Sequence, residues 1–115
     1  MVESDYIERL WALYPSEDEE ATNEVLALAD EAVQICPWSA KLWCIRGNLI
    51  QLGTGDTLHK LEDALLSYEK AIAVDPKCFE AYEEIGYFYD LVMDDESKAK
   101  PFFQRAALLK SEAAR

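Results

Sequence analysis

The feature that most constrains the fold is a short helix ending that occurs three times. The chain reads ADEAVQICP at residues 29–37, YEKAIAVDP at 68–76 and FQRAALLKS at 103–111. When these stretches are aligned, one column contains only alanine, at positions 32, 71 and 106, and the column three residues earlier contains Ala29, Tyr68 and Phe103. A small residue lets a partner helix approach closely, and a large one fills the space beside it. Spacings of 39 and 35 residues between the alanines therefore predict repeated helix pairs.

Apolar residues recur at helical spacing along the whole chain, and no segment alternates like a strand. In AYEEIGYFYD the residues Tyr82, Ile85, Gly86 and Tyr89 form one stripe of a helix. We predict six helices, at about residues 5–14, 17–36, 39–52, 57–75, 78–92 and 97–113. Pro101 is expected in the first turn of the last helix, where its missing N–H would have no helical partner in any case.

Helix starts are predicted from capping residues. Asp5 with Glu8, and Ser16 with Glu19, have the spacing at which a cap side chain and an acid three residues later satisfy each other's backbone donors. Ser39 is a third expected cap. These patterns place helix starts near residues 6 and 17 and after Pro37.

The stretches WCIRGNLI at residues 43–50 and YEEIGYFY at 82–89 resemble the leading helix of a tetratricopeptide repeat. That family has an aromatic residue, Leu-Gly and Tyr in its first helix, and Ala, an aromatic residue, Ala and Pro in its second. The matching residues are Trp43, Gly47, Ala64, Tyr68, Ala71 and Pro76, and then Tyr82, Ile85, Gly86, Tyr89, Ala99, Phe103 and Ala106. The resemblance implies an all-α, antiparallel helix-pair solenoid of three repeats, at about residues 5–37, 38–76 and 77–113. A length of 115 residues fits a single domain over 1–115.

The sequence departs from the family pattern in three places. Arg46 stands where a leucine is usual, and Trp11 occupies the place of a small residue, so the regularity of the first pair stays open. An insertion, GTGDTLHK at residues 53–60, is expected to add a turn to the following helix, because Leu58, Leu61 and later apolar residues have helical spacing. Two further columns are expected to face the following repeat, and they contain Leu26, Leu65 and Lys100, and Val33, Ile72 and Ala107. Because the last member of each column is polar or small, we predict that the array stops there and that the chain alone is a monomer.

Charge and cysteine content limit the kinds of partner. The chain has 11 Lys and Arg against 23 Asp and Glu, a net charge of −12, so its surface should repel nucleic acids and anionic membranes. The acidic start does not resemble a signal peptide, and no apolar run approaches the length of a membrane span. We expect a cytoplasmic protein whose three cysteines, Cys36, Cys44 and Cys78, are reduced thiols.

The residues do not predict catalysis. His59 is the single histidine, and a structural or solvated role is far more common than a catalytic one for such a residue. A metal site formed by His59, Asp56 and Asp63 would lack a designed set of ligands, so we expect neither a metal nor a cofactor. The tryptophans Trp11, Trp38 and Trp43 are expected to be packing residues. The prediction is a non-enzymatic protein.

The exposed faces of the leading helices are the candidate binding site. The resemblance implies that these faces line a concave groove that holds a peptide or helix of another protein. The predicted groove residues are Lys41, Cys44, Asn48, Gln51, Glu80, Glu83, Tyr87 and Asp90. Because the later residues are acidic, the expected ligand is a basic or amphipathic segment, and the acidic chaperone tails bound by some members of the family are disfavoured. Merely solvated faces, or a subunit that assembles with itself, are the alternatives.

Overall fold

The structure, a computed structural model, describes residues 1–53 and 59–114. Those residues form six α-helices and one π-helical segment, and they contain no β-strand. The helices are α1 (Glu3–Leu13), α2 (Asn23–Ile35), α3 (Ala40–Gln51), α4 (Leu61–Val74), α5 (Phe79–Tyr87) and α6 (Glu96–Ala113), and the π-helical segment Phe88–Val92 directly follows α5. The prediction of an all-helical chain is confirmed for the described residues.

The predicted helix starts had different outcomes. Ser39 caps α3 as predicted, because its hydroxyl accepts a hydrogen bond of 3.2 Å from a backbone N–H of the first turn. Ser16 does not start a helix. Its N–H and hydroxyl both bind the Glu19 carboxylate, but within an isolated turn. The actual cap of α2 is Thr22, so the predicted helix start at residue 17 was wrong.

In α1, Asp5 has the opposite role to the one predicted. The helix begins two residues before Asp5, at Glu3, and the Asp5 carboxylate accepts a hydrogen bond of 3.0 Å from the N–H of Val2. Asp5 is therefore the acid that reaches back to the cap, and a hydrophobic residue occupies the cap position itself.

The start of α4 also differs from the prediction. His59 and Lys60 are not helical, and α4 begins at Leu61. The Asp63 carboxylate accepts a hydrogen bond of 2.9 Å from the Lys60 N–H, which fixes the helix start at this point. The predicted extra turn is therefore absent at residues 59 and 60, and its remaining part, with Leu58, lies outside the described residues.

The chain turns between α5 and α6 through an unusual helix ending. In the π-helical segment the Met93 N–H donates to the carbonyl of Phe88, five residues earlier, at 3.1 Å. Asp94 then takes the left-handed conformation, with φ of 51°, which aspartate tolerates better than most residues. Asp95 caps α6 by accepting a hydrogen bond of 3.0 Å from a backbone N–H.

Pro101 lies deeper in α6 than predicted. It is the sixth residue of that helix, beyond the first turn, so its ring removes a helical hydrogen bond that would otherwise form. The prediction that it lies in the first turn was therefore wrong. Pro101 is on the exposed side of α6, where water can solvate the carbonyl that loses its donor.

The aligned alanines lie in the core. Ala32 and Ala71 have no exposed surface and Ala106 is 1% exposed, so each small residue is at a close helix contact. Consecutive helices pack against each other along the whole chain, most extensively α3 with α4 and α5 with α6. Burial of the predicted interface positions decreases along the chain: Leu26 and Val33 are buried, Leu65 and Ile72 are half-buried, and Lys100 and Ala107 are exposed.

Two tryptophans are more exposed than expected. Trp43 is half-buried against the core, and its indole N–H donates to the Pro37 carbonyl at 3.0 Å. Trp38 is 63% exposed and Trp11 is 48% exposed, so the prediction of a packing role is wrong for Trp38 and holds only in part for Trp11.

Of the helices in the described part of the chain, none combines the length and the apolar character needed to cross a bilayer.

Candidate partner-binding concavity

A concavity of about 380 Å³ opens between α1, α3 and the start of α5. It is large enough for one or two side chains of a ligand. Its lining residues are Trp11 of α1, Ala40, Lys41, Cys44, Ile45 and Asn48 of α3, and Asp75, Cys78, Glu80 and Glu84 at and after the end of α4. We call this surface the α1–α3–α5 concavity. It contains three carboxylates and one ammonium group, so its charge is negative.

A second depression adjoins the α1–α3–α5 concavity. It is lined by Tyr14, Asn48, Gln51, Leu52 and Glu84, and we call it the Tyr14 depression. Because Asn48 and Glu84 belong to both surfaces, the two form one continuous region. The Trp11 and Tyr14 rings lie with their centroids 4.9 Å apart, so an aromatic pair borders this region on the α1 side.

The structure brings together five of the eight predicted groove residues and places the other three elsewhere. Five of them line the continuous surface described above: Lys41, Cys44, Asn48, Gln51 and Glu80. Glu83 instead forms an ion pair with Lys110 of α6, with 3.2 Å between Nζ and Oε2. Tyr87 packs edge-on against Phe103 of α6, with centroids 5.0 Å apart. Asp90 lies in the π-helical segment.

Several residues of this surface were not among the predicted groove residues, and the most informative of them are Trp11, Tyr14, Cys78 and Glu84. Glu84 directly follows Glu83, and a step of one residue turns a helix by about 100°. The choice between the two carboxylates therefore depended on the rotation of α5. The signal that could have indicated Trp11 was present, because a large aromatic residue stood where a small packing residue was expected.

Glu84 is a half-buried carboxylate that lines both the α1–α3–α5 concavity and the Tyr14 depression. Burial raises the pKa of Glu84, and repulsion from Glu83 adds to that effect. Within the described residues its carboxylate has no hydrogen bond and no ion pair. Burial and the negative charge of Glu84 also raise the pKa of the nearby Tyr14 hydroxyl. A desolvated carboxylate without a cation favours the approach of a positively charged group.

His59 lies away from this surface in a polar cluster that connects several elements. Its Nε2 is 2.9 Å from the Asp30 carboxylate of α2. Arg46 of α3 binds the same carboxylate through Nε at 2.8 Å, and it donates to the Ser67 hydroxyl of α4 at 2.6 Å. These contacts join α2, α3 and α4, so the histidine has a structural partner. Among the described residues, no three His, Cys, Asp or Glu side chains are arranged to hold a metal ion.

The sequence was also compared with known proteins. No protein-family model matches it, and no curated protein is similar enough to count as a relative.

Proposed function

We propose that this chain is a non-enzymatic protein-interaction module of three tetratricopeptide-like helix pairs. It binds a basic or amphipathic segment of another protein in the α1–α3–α5 concavity. The observation that carries the proposal is the half-buried Glu84 carboxylate, which forms no ion pair with any residue that the structure describes. It lies in the concavity with Glu80 and the half-exposed ring of Trp11.

The repeat architecture is supported by a contact that occurs twice. Gly47 of α3 faces the Tyr68 ring of α4, and Gly86 of α5 faces the Phe103 ring of α6. The rings are 35 residues apart, the same spacing as the aligned alanines Ala71 and Ala106. The glycines are 39 residues apart, because Gly47 is four residues further from its ring than Gly86 is. In each pair, the glycine and the ring occupy the glycine and aromatic positions of the tetratricopeptide pattern. The pattern therefore coincides with a close helix contact in both pairs.

The expected anchor of the ligand is one arginine or lysine side chain. A guanidinium or ammonium group near Glu84 would form a charge-assisted hydrogen bond with a carboxylate that is already partly desolvated. The exposed face of Trp11 can cover the aliphatic stem or stack on a guanidinium. Glu80 and Asp75 extend the negative potential along the rim, which should accelerate association with a basic segment.

A selection from a random peptide library on the immobilised protein tests the proposal. Peptides retained by the wild-type chain should be enriched in Arg and Lys. The enrichment should disappear on a Glu80→Lys/Glu84→Lys variant. A control variant, Glu17→Lys/Glu112→Lys, changes the net charge equally at two exposed positions outside the concavity and should select the same basic peptides as the wild type. Equal selection by all three proteins, or selection of acidic peptides, would refute the proposed site.

Association rates of one selected peptide sharpen this test. The Glu80→Lys/Glu84→Lys variant should bind more slowly than the wild type at low salt, and the difference should shrink at high salt, because the screening length falls from about 10 Å at 0.1 M to about 3 Å at 1 M. Lys41→Glu should leave binding unchanged or tighten it. Glu84→Gln, which keeps the shape of the side chain, separates the loss of charge from any loss of folding.

Self-assembly is a second candidate function, favoured by one observation. Ile35 and Trp38, at the junction of α2 and α3, are 53% and 63% exposed, and large exposed apolar side chains are typical of contact surfaces. Light scattering at micromolar concentration distinguishes the two functions. The interaction module should be a monomer, as the exposed Lys100 and Ala107 on the terminal helix favour, whereas a stable dimer that Trp38→Ser dissociates would support self-assembly.

A further inference from the structure

Two thiols from distant parts of the sequence meet in the α1–α3–α5 concavity. Cys44 belongs to α3 and Cys78 is the cap residue of α5, and their Sγ atoms are 3.9 Å apart in hydrogen-bonding contact. Both side chains are buried by their neighbours, but both line the concavity, so a small solute can reach them from solvent. Nothing in the proposed binding of a basic segment requires a pair of thiols.

Hydrogen bonds connect the two thiols to a carboxylate, from Cys44 to Cys78 and from Cys78 to Glu80. Cys78 donates to the Glu80 carboxylate, with 3.6 Å between Sγ and Oε2, and this leaves its sulfur free to accept the hydrogen bond from Cys44. Glu80 can therefore take the proton when Cys78 acts as a nucleophile. Because the Cys44 thiol already contacts the Cys78 sulfur, it is also placed to attack that atom in a second step.

The pKa shifts of the two thiols agree in direction with the roles that this geometry gives them. The hydrogen bond from Cys44 lowers the pKa of Cys78, and a hydrogen bond with the backbone of Ala81 in the first turn of α5 adds to this effect. Burial, the negative charge of Glu80 and the hydrogen bond that Cys78 donates to Glu80 all oppose this lowering of the pKa. The same thiol contact raises the pKa of Cys44, and burial raises it further. A more acidic thiol at a helix N-terminus is the more reactive member of such a pair.

We propose that Cys44 and Cys78 are a dithiol oxidation site, at which a hydroperoxide converts the pair into a reversible disulfide bond. The Cys78 sulfur attacks one peroxide oxygen, the O–O bond breaks, and Cys78 becomes a sulfenic acid while hydroxide leaves and takes up a proton. The Cys44 sulfur then attacks the sulfenic sulfur and expels water. In sum, two thiols and one hydrogen peroxide give one disulfide and two water molecules.

The geometry requires only a small movement. A disulfide has its sulfur atoms about 2 Å apart, so the two sulfurs, now 3.9 Å apart, must approach by about 2 Å. The bond would link residues 34 positions apart and join α3 to α5 across the concavity. A disulfide that closes a long loop stabilises the folded chain, chiefly by restricting the unfolded one.

Treatment of the native chain with hydrogen peroxide tests the site. The wild type should lose two free thiols and two hydrogen atoms, and a protease digest should contain one linked peptide joining Cys44 to Cys78. Cys36 provides the matched control, since it is also buried but is the cap residue at the end of α2 and does not line the concavity. Cys36→Ser should therefore react like the wild type.

Two further variants and one reversal complete the test. Cys44→Ser and Cys78→Ser should form no internal disulfide, although Cys44→Ser should still form a sulfenic acid at Cys78. Oxidation should raise the unfolding temperature of the wild type and of Cys36→Ser, and dithiothreitol should reverse the rise. Retention of all three thiols in the wild type, a linked peptide containing Cys36, or an equal rise in Cys44→Ser would overturn the proposal.

Discussion

The α3–α4 and α5–α6 pairs use the same contact but support it differently. In each pair a glycine of the first helix faces an aromatic ring of the second. A Cβ atom added to Gly47 would lie 2.5 Å from the Tyr68 ring, and one added to Gly86 would lie 2.7 Å from the Phe103 ring. Tyr68 has no exposed surface, whereas Phe103 is half-buried. The two helices therefore approach each other about equally closely in both pairs. Only the Tyr68 ring of the α3–α4 pair is fully enclosed by its neighbours.

The difference extends to the polar groups around each ring. The Tyr68 hydroxyl donates to the Asn48 side chain at 2.7 Å and accepts from the Gln51 side chain at 2.6 Å, so the ring is tied back to α3. Phe103 has no hydroxyl and packs against Tyr87 instead. The comparison shows that one sequence pattern can specify a contact, while neighbouring residues decide how firmly that contact is held.

The largest expected effect comes from adding a methyl group at the glycines. Gly47→Ala should lower the free energy of unfolding by about 2 to 3 kcal/mol, because the enclosed Tyr68 ring cannot move aside. Gly86→Ala should cost less than about 1 kcal/mol, since the half-buried Phe103 ring can shift and alanine favours a helix over glycine by about 0.5 to 1 kcal/mol. Urea unfolding of both variants measures the difference. Equal losses would show that the two pairs are supported alike.

A smaller effect is expected at Arg46, which has no charged counterpart in the second pair, where Ile85 occupies the same position. Arg46 joins Asp30 of α2 to Ser67 of α4, and its side chain is only 18% exposed. Arg46→Ala should cost about 1.5 kcal/mol in urea unfolding, because a charge-assisted contact is lost and the buried Ser67 loses a donor. Arg105→Ala, at an exposed position of α6, is the control and should change stability by less than about 0.5 kcal/mol.

The smallest effect should follow from making the first ring like the second. Tyr68→Phe removes the hydroxyl that binds Asn48 and Gln51 and should cost about 1 kcal/mol. Tyr82→Phe, at a half-buried position in α5, should have almost no effect. Thermal unfolding of the two variants is sufficient. If Tyr68→Phe were as stable as Tyr82→Phe, the hydroxyl would not contribute to holding the ring.

The parts of the fold that were predictable depend on short-range patterns. The alanine column and the glycine and aromatic positions were identified because close helix packing demands particular side-chain sizes at fixed spacing. The start of α2 was missed because the Ser16 and Glu19 pattern satisfies its own hydrogen bonds in a turn as well as in a helix. A local pattern cannot show whether a helix follows, since that depends on what the next residues can bury.

The sequence predicted that α5 contributes carboxylates to the site, but it did not predict which of the neighbouring residues face the site. Glu80 was identified, but Glu83 was chosen where the structure places Glu84 in the concavity. Asp90 was included by assuming regular helix rotation, and the π-helical segment changes that rotation after Tyr87. The sequence marked Trp11 as out of place in the repeat pattern, but which surface its ring joins depends on how α1 packs against α2 and α3. Long-range packing therefore decides which exposed residues share one surface.

The most direct test of the central claim is an NMR titration of the ¹⁵N-labelled chain with an arginine-containing peptide from the library selection. Because the three tryptophans lie in different environments, their indole N–H signals report the binding site. The proposed site predicts shifts of the Trp11 indole signal and of the Asn48 and Glu84 amides, with little change at Trp38. Shifts centred instead on Trp38, or on the depression lined by Leu65, Glu69, Ile72, Ala73, Tyr82, Ile85, Tyr89 and Phe102, would contradict it.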